Sequence, residues 1–204
     1  MPRTTEIAEA EADLAGRDPV LAGLIAATGP CVLGTGPRRR PHFEALARSI
    51  TYQQLAGRAA NAIWTRVRAL VDGPFTPAAV LDVELTDLRG AGLSGAKARS
   101  ITDLAAHIVE GTVHLGRASA MSDEALVAEL SQVWGIGVWT AQMFLMFQLG
   151  RLDVWPALDL GVRNGYAKAF GLPPLTAKEM EPLGERFRPY RSVVAWYCWR
   201  AVEI

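Results

Sequence analysis

The chain has 204 residues, half of them hydrophobic, with a formal net charge of zero and a pI of about 6.8. That length allows one substantial core or two small subdomains sharing one, and the charge argues against a tight non-specific grip on nucleic acid. Cys31 and Cys198 stand far apart, which disfavours a disulfide framework, a structural zinc site or an iron–sulfur cluster. No eighteen apolar residues run together, so no membrane-spanning helix is expected.

The opening stretch, MPRTTEIAEAEADLAG, is rich in alanine and glutamate without an apolar core segment. No signal peptide is expected there, and a cytoplasmic protein fits. GTGPRRRPH (34–42) reads as a loop, and a boundary near residues 42–48 would divide an N-terminal piece from a central helical block. Ala60, Ile63, Val67 and Leu70 have helical period, ending at DGP. Ile101, Leu104, Ala105 and Ile108 repeat it, with Gly111 as a stop. Ser122 reads as an N-cap, followed by Asp123 and Glu124 where they oppose the helix dipole. Leu126, Leu130 and Val133 form the apolar stripe of that helix. Thr176 to Glu179, TAKE, has the spacing of a capping box. No period-two alternation is convincing anywhere. The fold class expected is all-α.

Between the Ser122 helix and WTAQMFLMFQLG, only Gly135-Ile136-Gly137 is free to turn. Glycine permits positive φ and close approach by another backbone. The helix that follows is apolar nearly all round, so it should be buried. Unpaired N–H groups at its start would form an anion site without lysine. Two readings fit: a phosphate-gripping helix–hairpin–helix, and an ordinary tight αα-turn.

DVWPALDLGVRNGY (153–166) begins within a second loop, 150–158, that is unusually rich in large side chains. Pro156 stiffens the approach, and Asp159 precedes a helix closed by Gly171. Asp159 either caps that helix and does nothing more, or its carboxylate stabilises a developing positive charge or orients a water. Spacing leaves both open.

With these segments in hand, the chain resembles the helix–hairpin–helix DNA glycosylase superfamily, in particular the 3-methyladenine DNA glycosylase II type. The resemblance rests on SITYQQLAGRAANAI, VWGIGVWTAQMFLMF, DVWPALDLGVRNGYAKAFGL and FRPYRSVVAWYCW, in that order, and DPVLAGLIAATGPCVL extends it over most of the chain. It implies two all-α subdomains flanking a cleft. The central one is expected over 46–160, with the helix–hairpin–helix at about 122–149; the other is expected from 1–45 and 161–204. It further implies a monofunctional enzyme that flips an alkylated base out of double-stranded DNA and hydrolyses its N-glycosidic bond; a monomer is the default expectation, independent of the resemblance.

By that resemblance Asp159 matches the catalytic aspartate. Gly135, Ile136 and Gly137, with Thr140, match the phosphate-binding hairpin. Trp139 stands where bifunctional members carry a Schiff-base lysine, and no lysine follows the hairpin before Lys168, so lyase chemistry is not expected. Trp199 matches the stacking tryptophan of the base pocket, and Trp139 is placed with it, each good contact to a cationic base contributing about 0.5–2 kcal/mol. Met143 lies where the best-known members have tyrosine, a departure that bears on pocket shape. Gln54 matches the side chain inserted into the gap left by the flipped nucleotide, with Gln53 beside it. No cofactor or metal is expected, although related hairpins have room for a monovalent cation on their carbonyls.

Arg38 to Arg40, Lys97 with Arg99, and RFRPYR (186–191) are candidate phosphate contacts, or else a solvated face. Zero net charge predicts a shallow salt dependence. Two competing functions remain at this stage. A non-catalytic helix–hairpin–helix DNA-binding module has no use for Asp159. A bifunctional or iron–sulfur relative would need the missing lysine or clustered cysteines.

Overall fold

Several helix starts in the structure follow capping residues. Asp18 accepts the N–H groups of Val20 and Leu21 ahead of Pro19; Ser94, Ser122 and Asp159 each accept one first-turn N–H, and Thr176 with Glu179 completes a capping box. The computed structural model describes residues 2–35 and 40–204 and contains no β-strand among them. In chain order its helices begin with α1 (Pro2–Arg17), α2 (Pro19–Thr28), α3 (His42–Tyr52), α4 (Gly57–Ala69), α5 (Pro77–Leu81) and α6 (Leu85–Gly90). They continue with α7 (Gly95–Val109), α8 (Asp123–Leu130), α9 (Val138–Met143), α10 (Leu160–Phe170), α11 (Ala177–Leu183) and α12 (Arg191–Glu203). A π-helical stretch, Phe144–Leu149, follows α9 directly.

The chain divides into two compact units. The first comprises Met1–Arg38 and Leu145–Ile204, the second Arg39–Phe144. The sequence had suggested 46–160 for the central one. The central unit starts earlier than that and ends at Phe144, and the loop at 150–158 lies with the C-terminal helices through its large side chains. Val154 and Trp155 are buried, the Trp155 indole donates to the Met180 carbonyl at 2.9 Å, and the Val154 N–H donates to the Ser192 hydroxyl at 2.9 Å. Arg191 clasps the Asp153 carboxylate with two donors, at 2.7 and 3.2 Å. A hydrophobic loop pinned at four points is part of a core rather than a linker.

In the first unit α12 packs against α10, α2 and α1. Gly165 decides how closely α10 and α12 meet: a Cβ there would stand 1.7 Å from the carbonyl oxygen of Cys198. The Tyr197 hydroxyl lies 2.5 Å from a Glu11 carboxylate oxygen, and the same oxygen accepts the Cys31 N–H, so α1 is tied to α12 through a buried polar group that is satisfied.

In the second unit α7 packs against α3, α5 and α6, α3 against α4, and α8 against α9. Phe43, Trp64 and Phe75 form an aromatic cluster there. The apolar stripe expected on α4 shifts. Ala60, Trp64 and Val67 are buried, while Leu70 is exposed because it is the C-cap and no longer on the helix face. The apolar helix after the hairpin is buried at Ala141, Met143, Phe144, Leu145, Met146 and Leu149, but Val138, Trp139 and Phe147 face solvent.

Candidate functional site

Two groups of residues stand out, one in each unit. In the second, the hairpin begins where α8 ends. Gly135 has φ +82°, a conformation that L side chains rarely adopt, and a Cβ there would also stand 2.9 Å from the Ser100 hydroxyl on α7. The preceding residue is anchored too: the Trp134 N–H donates to Asp103 at 2.7 Å, and its ring lies under the Arg99 guanidinium at 4.5 Å. Ile136 is buried and acts as the hairpin's apolar anchor. Gly137 is the N-cap of α9, and no side chain caps that helix, the arrangement that suits an external anion.

Thr140, in the first turn of α9, is buried, and its hydroxyl accepts from the Gln53 side-chain amide at 3.2 Å. The hairpin and the turn after α3 are thus brought together. In that turn Gln54 is exposed and has φ +55°. Trp139 is 37 % exposed, whereas Met143, at 9 %, belongs to the core of the unit and offers a ligand little surface.

In the first unit, Asp159 is the N-cap of α10. One carboxylate oxygen accepts both the Val162 N–H at 2.8 Å and the Trp199 indole N–H at 2.9 Å. The capping role read from the sequence is therefore real, and a second donor from α12 joins it. Two N–H groups converging on one oxygen fix the carboxylate's orientation in the way a preorganised charge requires. Gly161 makes room for this: a Cβ there would lie 2.9 Å from the Trp199 ring and 3.1 Å from Asp159.

Trp199 is also stacked on Phe147, with ring centroids 5.6 Å apart and planes 28° from parallel. Phe147 is 52 % exposed and was missed by sequence reasoning. It sits in a continuous apolar run, where periodicity cannot single out one outward residue. The signal lies in the backbone, since a π-helical turn shifts the register and such turns concentrate at functional sites. Trp139 and Trp199 belong to different units.

The basic clusters fare differently from expectation. Arg186 pairs with Asp18 at 2.8 Å, and Arg188 and Arg191 pair with Asp153 and Glu185, so RFRPYR is largely an internal ion-pair network. Two donors of Lys97 are spent on backbone carbonyls, and partial burial lowers its pKa from the ordinary lysine value. Arg40 faces Glu44 at 3.8 Å, while Arg38 and Arg39 lie outside the described residues. Both cysteines are buried. Burial pushes the Cys31 thiol up to about 12 and the Cys198 thiol upward as well, so neither is poised as a nucleophile. Among the described residues no three His, Cys, Asp or Glu side chains converge as a metal site.

Comparison with known proteins gives a consistent result. The family described as HhH-GPD superfamily base excision DNA repair protein matches over residues 47–189. The chain is 34 % identical to DNA-3-methyladenine glycosylase 1 of Schizosaccharomyces pombe over 205 residues, 98 % of this chain and 90 % of that protein. Its structure resembles that of 3-methyladenine DNA glycosylase from the same yeast in complex with abasic DNA, with a TM-score of 0.84, 32 % identity and coverage of 96 % and 97 % of the two chains. It also resembles a DNA-3-methyladenine glycosidase from Bacillus halodurans, with a TM-score of 0.81, 34 % identity and coverage of 92 % and 86 %.

Proposed function

From membership of the HhH-GPD superfamily of base excision DNA repair proteins, to which this chain belongs, we propose that it is a monofunctional DNA glycosylase acting on alkylated bases. It flips a base such as 3-methyladenine out of duplex DNA and hydrolyses the N-glycosidic bond, leaving an abasic site. Flipping is required because the bond is inaccessible inside the stack.

The observation that carries the proposal is the Asp159 carboxylate, held by the Val162 and Trp199 N–H groups at the start of α10. A purine alkylated at N3 or N7 is cationic, so it departs as a neutral molecule with the bonding electron pair. The sugar left behind gains positive charge. A fixed carboxylate stabilises that charge, and water then adds to the sugar carbon, its proton passing to Asp159. The Phe147–Trp199 stack beside Asp159 supplies an electron-rich surface for the flat cation.

DNA is gripped in this reading through the hairpin Gly135-Ile136-Gly137, whose contribution is backbone N–H geometry rather than side-chain charge. Gln54, exposed at the turn after α3, fills the gap left by the flipped nucleotide and hydrogen-bonds the orphaned base. Trp139 stands in the position of the lyase lysine, which supports hydrolysis without a covalent intermediate.

The test is to incubate wild-type protein and Asp159→Asn with duplex DNA methylated at purines and to measure the free bases released. Release by the wild type and its loss in the variant support base excision by this carboxylate. DNA binding without release would instead favour a non-catalytic binding module.

A further inference from the structure

Three side chains at three-residue intervals along one face of α7 hold the two DNA-facing segments of the second unit. Ser100 lies against Gly135 of the hairpin, and Asp103 accepts the Trp134 N–H that precedes it. Lys97 reaches the other segment: its ammonium donates to the carbonyls of Thr51 at 2.9 Å and Gln53 at 2.6 Å. These carbonyls belong to the end of α3, where helix geometry leaves acceptors unsatisfied and the dipole welcomes a cation.

The next residue is Gln54. Among the described residues it alone, glycines apart, has a positive φ. A side-chain-bearing residue persists in that region only when its surroundings over-determine it, and such positions concentrate where a fold stores strain for function. Here the surroundings are on either side of Gln53: Lys97 on its carbonyl and Thr140 on its side-chain amide.

We propose that Lys97 is a positioning residue that sets the Gln54 tip in its left-handed conformation and so prepares it to enter the gap of a flipped nucleotide. The inference rests on the base-excision reading above. Lys97 touches neither the lesion nor the sugar. Its effect is confined to the step at which the lesion leaves the stack.

The test uses two duplexes carrying one 7-methylguanine, paired with cytosine or mismatched with thymine, under single-turnover conditions with wild type, Lys97→Met, Gln54→Ala and the double variant. A mismatched base is already easier to extrude, so it depends less on a preset plug. Lys97→Met should slow release from the paired duplex by about tenfold, as expected for losing charge-assisted hydrogen bonds, and barely change the mismatched one. The double variant should be no slower than Gln54→Ala, because both changes disable one step.

Equal slowing on both duplexes, with a lowered melting temperature, would make Lys97 merely structural and overturn the proposal. So would multiplicative effects in the double variant, or wild-type rates in Lys97→Met. A wild-type protein that releases no base from these duplexes or from purine-methylated duplex DNA overturns the base-excision reading itself, and this inference with it.

Discussion

The two units build their functional groups from opposite materials. In the first, the site is made of side chains: a carboxylate held by two N–H donors, one of them an indole, beside an aromatic stack. In the second it is made of backbone: a glycine at positive φ, an uncapped helix start and a turn whose tip departs from ordinary φ. Charge chemistry needs a particular atom fixed in a particular place. Gripping a phosphate chain needs only amides facing outward, which any sequence can supply once its glycines permit the turn.

That contrast predicts which changes each unit tolerates. The first should be broken most deeply by chemistry with no change of shape. Asp159→Asn keeps an oxygen to cap α10 and accept the Trp199 N–H, so melting should hardly move, while base release falls by roughly a hundredfold or more in single-turnover assays. If release survives, the carboxylate is a cap and nothing else.

Gly165→Ala attacks the same site through its frame. Its new Cβ would overlap the Cys198 carbonyl, so α10 and α12 must separate, at a cost of about 3 kcal/mol or more, read as a clear drop in melting temperature. A variant with unchanged melting would show that the two helices are less rigidly fitted than this contact implies.

Trp199→Phe sharpens the comparison by removing one donor and keeping an aromatic ring. Release should fall about tenfold in kcat with little change in KM, the signature of a misdirected carboxylate rather than a lost stacking surface. A rise in KM alone would make stacking the larger role.

The hairpin of the second unit should respond to a methyl group and not to side-chain charge. Gly135→Ala forces alanine to positive φ and crowds Ser100, costing about 1 kcal/mol in stability and weakening DNA binding measured by titration. The salt dependence of that binding should be shallow, with a log–log slope of roughly −2 to −4, because the arginines at 186, 188 and 191 are paired within the chain. A slope near −10 would mean that side-chain charge, not the hairpin backbone, dominates the grip.

The sequence by itself determined the all-α class and where the side-chain-capped helices it read begin. Ser122, Asp159 and Thr176 cap the helices they were expected to cap, and Gly171 closes α10 in the left-handed conformation. Capping and turning are local: they depend on residues within one turn of each other, which a linear reading sees directly. The turn at Gly135 was legible for the same reason.

Tertiary structure decided the partnerships. The Trp199 indole meets Asp159 across 40 positions of chain, and two glycines on α10 make that meeting possible by having no side chain. Phe147 turns outward because of a π-helical register, and the arginines near the C-terminus turn inward to carboxylates at Asp18 and Asp153. Lys97 looked like a phosphate contact at a helix start and instead closes the end of α3. Each of these depends on which helix faces add up to a packed unit, and that is fixed by the whole core at once rather than by spacing along the chain.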